Sequence, residues 1–128
     1  MSWKELIVFC TGVMFPVLYY RLCLALFSES AFQNMYLRRL TGLNLHHMHL
    51  GFGLVVLSQI LLLLHVKRQW CLLIGCLGIG FILDEFAASL YIPAIPRSEE
   101  MRIYKQSAYP TYFIIAMVVA LAVFCVLK

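Results

Sequence analysis

Four apolar runs dominate this chain, each near the ~20 residues needed to cross a bilayer core. They fall at about 5–27, 46–66, 69–92 and 109–127. A segment in hydrocarbon must satisfy its own backbone hydrogen bonds, and these runs are too long for barrel strands, so each is predicted to be a helix. The expected fold class is all-α: a polytopic membrane protein with four transmembrane helices in one bundle, a single domain over 1–128. Composition closes off the soluble alternative. Hydrophobic residues make up 63% of the chain and charged residues 12%, about half the soluble norm of roughly 25%. A soluble domain of this size could not cover so much apolar surface.

Charge and cysteine content narrow the classes further. The net charge is +4. In a membrane chain such an excess reflects orientation and anionic headgroups, and no nucleic-acid module, phosphate-binding glycine loop or internal repeat accompanies it. The five cysteines, Cys10, Cys23, Cys71, Cys76 and Cys125, lie in apolar stretches without a Cys-x-x-Cys pair and read as small buried hydrophobes. Lys4 precedes the first run as in a signal peptide. Arg21 interrupts that run and no clear Ala-x-Ala site follows, which predicts an uncleaved helix.

Two short polar clusters break the apolar pattern. One is Leu45-His46-His47-Met48-His49-Leu50-Gly51-Phe52-Gly53, and the other is Gly78-Ile79-Gly80-Phe81-Ile82-Leu83-Asp84-Glu85-Phe86. Ionisable side chains beside hydrocarbon cost several kcal/mol unless partnered, so such clusters mark functional candidates. The second and third runs are joined by a short charged turn read at Lys67-Arg68-Gln69, which makes them an antiparallel hairpin. Residues equally far from the turn share a depth. A turn centred on Lys67 pairs His49 with Glu85, and one centred on Arg68 pairs it with Ala87. His46, His49 and Gly53 recur at i, i+3 and i+7 on one helical face, with His47 about 100° away. Gly51 and Gly53 opposite Gly78 and Gly80 would let the two backbones approach.

These placements define the expected site. Imidazoles and carboxylates together suit a divalent transition metal, Zn²⁺ first, with His46, His49, Asp84 and Glu85 as ligands. Asp84, Glu85 and His47 are the candidate acid–base residues. Arg21 either neutralises a carboxylate or snorkels to the interface. With Arg38, Arg39, Arg97, Arg102 and Lys105 it shares the site's side of the membrane and could hold a phosphate-bearing headgroup. Several tyrosines, Tyr19, Tyr20, Tyr91, Tyr104, Tyr109 and Tyr112, fall at that level as an interfacial belt. His65 sits at the opposite end and reads as interfacial. Ser58 and Gln59, in mid-run, read as interhelical hydrogen-bond partners.

The pattern His-His-x-His-x-Gly-x-Gly followed by Gly-x-Gly-x-x-x-Asp-Glu-Phe, over about 45–86, resembles one in small prokaryotic integral membrane proteins that have no assigned activity. The resemblance implies a multi-pass protein of the prokaryotic inner membrane and nothing about a reaction. Membrane desaturases are a poor match, because four histidines cannot fill their histidine boxes. The leading expectation is a membrane-embedded, metal-dependent hydrolase of a lipid or lipid-linked, phosphate-bearing substrate. A bound metal would make hydroxide available by lowering the pKa of its water. The alternatives are a proton or metal-ion carrier or channel subunit, a haem-binding electron carrier, and a small structural subunit. Membrane lipids are the expected partners, with a possible homo-dimer and no nucleic acid.

Overall fold

The computed structural model describes residues 2–26, 47–90 and 100–128. Arg38, Arg39, His46 and Arg97 lie outside them, as do the loops that carry them. The described residues form five helices and no strand: α1 (Trp3–Leu26), α2 (His47–Leu63), α3 (Arg68–Ser89), the short α4 (Glu100–Gln106) and α5 (Ala108–Leu127). Three of them, α1, α3 and α5, are long and apolar enough to cross a membrane. The remaining apolar helix, α2, has 17 residues. At 1.5 Å per residue it is about 25 Å long, short of a ~30 Å hydrocarbon core. The all-helical, membrane-type architecture expected from the apolar runs is present, with α2 shorter than its run.

The exterior is apolar. Ile7, Phe15, Leu22, Phe113, Leu121 and Phe124 all stand exposed on helix faces. That distribution suits lipid and would be an aggregation hazard in water. The interior holds a small core of Val13, Val17, Cys76 and Ile115, with Phe9, Leu72, Ile79 and Leu83 against it. It also holds Asp84, Glu85, Ser107 and Thr111, all buried. Lipid tails are as apolar as leucine, so helix association here rests on close packing and interhelical polar contacts rather than on the hydrophobic effect.

Helix α3 is the centre of the bundle, with α2 and α1 packed most extensively against it and α5 less so. Two crossings depend on glycine. A Cβ on Gly51 would lie 2.7 Å from the Gly78 carbonyl oxygen, and a Cβ on Gly78 would lie 2.7 Å from the Gly51 carbonyl. The backbones of α2 and α3 therefore touch there, as the paired glycines predict. Gly80 serves a different helix: a Cβ on it would strike the Val13 carbonyl and Pro16 of α1. Gly53 has nothing within 4 Å of where its Cβ would stand.

The turn between α2 and α3 differs from the sequence expectation. It occupies Leu64 to Lys67, and Arg68 is already helical. Val66 N–H donates to Leu61 O at 3.0 Å and His65 N–H to Leu62 O at 3.1 Å, the paired bonds of a Schellman ending. His65 takes the left-handed position with φ 57°. A leucine run gives no signal for where its helix stops, and the stop is set by His65 entering this conformation. The consequence is a change of register. His47 lies 18 residues before His65, and Asp84 lies 18 residues after Val66, so these two share a depth.

Candidate functional site: a buried arginine–carboxylate–histidine cluster

Each helix at the loop end of the bundle contributes to one polar cluster. The α1 contribution is Arg21, whose side chain is 9% exposed. An arginine inside an apolar helix must find acceptors, and this one finds them on three other helices. Its Nε donates to Asp84 Oδ1 at 3.0 Å. One terminal nitrogen donates to the Tyr104 carbonyl. The other lies 3.2 Å from the Asp84 carbonyl, with Ser107 Oγ and Thr111 Oγ1 at 3.4 and 3.5 Å. The guanidinium carbon also stands 3.9 Å over the Tyr104 ring, a cation–π contact. Arg21 thus ties α1 to α3, α4 and the start of α5. Of the two roles expected for it, neutralising a carboxylate is the one its contacts show.

Asp84 is fully buried, and both of its carboxylate oxygens are engaged. Oδ1 accepts from Arg21, and Oδ2 accepts from the Tyr104 hydroxyl. Such a buried carboxylate is tolerable only because it is paired and hydrogen-bonded. Burial first, and then the Asp84 carboxylate, hold the Tyr104 phenol well above its ordinary pKa. Tyr104 therefore stays a protonated donor.

Glu85 is also buried, and its Oε2 accepts from the backbone N–H of Met48 at 2.9 Å. Met48 is in the first turn of α2, where N–H groups have no partner within the helix. A carboxylate from α3 thus satisfies an open donor of α2 and sits where the helix dipole favours negative charge.

His47 closes the cluster. Its ring stacks on Tyr20 at 4.5 Å between centroids and meets Tyr104 edge-on at 5.6 Å. Nε2 is 3.1 Å from Asp84 Oδ2 and 3.7 Å from Glu85 Oε2. The atom is buried and, among the described residues, is not aligned in a hydrogen bond. Two carboxylate oxygens thus stand within 4 Å of this ring nitrogen.

The structure thus brings together Arg21, His47, Asp84 and Glu85. His49, two residues beyond His47, is exposed. Arg102 and Lys105 are exposed on α4, the helix that carries Tyr104. No group of three or more His, Cys, Asp or Glu among the described residues is arranged to hold a metal ion. Of the expected ligands, His46 is outside those residues.

Sequence reading does not single out Ser107 and Thr111, and it takes Tyr20 and Tyr104 only as part of an interfacial belt at this level. A signal was present. Tyr104, Ser107 and Thr111 recur at i, i+3 and i+7, a polar face leading into the most apolar run. An arginine in the first run needs such acceptors at its own depth. Tyr20 had no comparable signal, because a tyrosine near a membrane interface is ordinary. No protein-family model, curated protein or solved structure matches this chain.

Proposed function

We propose that this chain is a four-span protein, of the prokaryotic inner membrane as its resemblance implies, whose working centre is His47 between Asp84 and Glu85. It acts by general acid–base chemistry on a lipid or lipid-linked substrate. The observation that carries this reading is the buried Nε2 of His47, 3.1 and 3.7 Å from two adjacent carboxylates and out of line with both. An imidazole at such a place can take a proton from a water or hydroxyl and return it to a leaving group.

The roles divide by what each group already does. Asp84 has both oxygens committed to Arg21 and Tyr104, so it acts as a fixed group beside the imidazole rather than as the acid or base. Glu85 is the second carboxylate near the ring, with Oε2 3.7 Å from Nε2, and would serve as the partner acid or base. Arg102 and Lys105 are exposed on the adjoining helix, and in this reading their charges attract a phosphate-bearing headgroup. Hydrolysis is the reaction class we favour, since it needs only a water activated at His47. A divalent ion such as Zn²⁺ belongs to this reading only if His46 joins His47 and the carboxylates, and metal analysis of the purified protein tests that addition.

The test is lipid turnover in proteoliposomes, read by phosphorus NMR of released headgroups. His47→Gln should lower turnover by about 100-fold or more, the usual contribution of a general base. His65→Gln should leave it unchanged. Turnover that survives His47→Gln would overturn the assignment. Proton flux that depends on His47, with no turnover, would replace the enzyme with a proton relay built from the same residues.

A further inference from the structure

We propose that the end of the bundle opposite the His47 cluster binds one anionic phospholipid, with an acyl chain between α1 and α2 and the phosphate on Lys67 and Arg68. Helices α1 and α2 both pack on α3 and leave between them an open cleft of about 250 Å³. Its walls are Phe9 of α1 and Gln59 and Leu62 of α2, and its floor is Leu72, Gly75 and Ile79 of α3. At the loop end of the bundle, Tyr20 stacks on His47 and joins α1 to α2. The cleft therefore opens towards the turn. In a bilayer, an apolar cleft that faces lipid fills with hydrocarbon.

Dimensions and charge select the occupant. From Arg68 to Ile79 the floor runs eleven residues, about 16 Å at 1.5 Å per residue. One leaflet of a ~30 Å hydrocarbon core is about 15 Å deep, the reach of a single acyl chain. Arg68 lies at the mouth with its side chain 78% exposed. Lys67 precedes it, exposed, at the start of α3. Glu5 meets Arg68 at 3.3 Å, and Lys4 precedes Glu5 in the chain, exposed like Lys67. An exposed pair of this kind holds its partners only weakly. Arg68 keeps donors for a phosphate oxygen, and guanidinium suits that geometry. Gln59, four residues before the end of α2 at Leu63, is about 6 Å below the mouth, the level of the ester carbonyls.

Native mass spectrometry of the full chain in a neutral detergent tests this, with phosphatidylglycerol and phosphatidylcholine titrated separately. The wild type should bind phosphatidylglycerol at least tenfold more tightly. A double Lys67→Gln, Arg68→Gln variant should lose that preference, with about a 25-fold loss of phosphatidylglycerol affinity at roughly fivefold per charge. Leu62→Trp, which fills the cleft from its exposed edge, should weaken both lipids alike while the circular dichroism melt stays in place. Equal binding of the two lipids by wild type would overturn the proposal. So would a double variant that keeps the preference, or a Leu62→Trp protein that binds both lipids as wild type does.

Discussion

Arg21 and Asp84 set the energetics of the cluster. Removing one partner of a buried ion pair leaves the other uncompensated, at a cost of about 3–5 kcal/mol. Arg21→Met should therefore destabilise the protein by that order in a denaturant titration in mild detergent. The double variant Arg21→Met, Asp84→Leu should recover most of the loss, because no charge then remains unpaired. Tyr104 gives a pH prediction. Its phenol is raised by burial and by Asp84, so the folded protein holds a proton that the unfolded chain releases above about pH 10. Stability linked to Tyr104 is complete below that pH and falls as pH rises beyond it. Tyr104→Phe should show a flatter alkaline decline in thermal melts than wild type. Asp84, Glu85 and Arg21 were legible as site residues because charge inside an apolar run demands a reason. The choice among the three clustered histidines was not legible, since one residue of helix moves a side chain by about 100°.

That choice was made at the level of elements. A turn centred on Lys67 or Arg68 sets His49 against Glu85 or Ala87, whereas the observed turn, centred about two residues earlier, sets His47 against Asp84. The residue that moves it is His65, in a conformation most side chains avoid. Glycine adopts this conformation without strain, so His65→Gly should relieve about 1–2 kcal/mol and, after the roughly 0.5–1 kcal/mol of entropy glycine adds to the unfolded chain, raise stability by about 0.5–1 kcal/mol. A higher melting temperature with unchanged lipid turnover would bear this out. The crossing of α2 and α3 is the opposite case. Gly78→Val would place atoms against the Gly51 carbonyl, and the neighbour there is backbone rather than a movable side chain. We expect a loss of roughly 2 kcal/mol or more, with the imidazole moved away from the carboxylates. A protein with wild-type stability and turnover would contradict that packing. Gly51 and Gly78 were legible as contacts from their depth, but that Gly80 serves α1 was not. A sequence shows that a glycine permits approach without showing which helix approaches.

Over the whole molecule, apolar length made the membrane architecture plain, and the limits of reading came from what length omits. The second run is long enough on paper to span, yet α2 has 17 residues. If α2 nevertheless crosses, both termini lie on one side, and reporter fusions at the two ends should report the same compartment. Opposite compartments would mean that α2 does not traverse the bilayer. The reach of Arg21 also fixes an order in time. Its acceptor on Tyr104 lies 83 residues further along the chain. At about 5–20 residues per second, translation delivers that acceptor some 4–17 s after Arg21 itself. For that interval α1 carries an unanswered charge, and its long side chain has to reach back to headgroups and water. The first helix of this protein should therefore enter the membrane at one depth during synthesis and settle at another once α3 and α5 arrive. Ribosome-bound chains stopped before Asp84 would then hold Arg21 accessible to water, and chains long enough to include Thr111 would not.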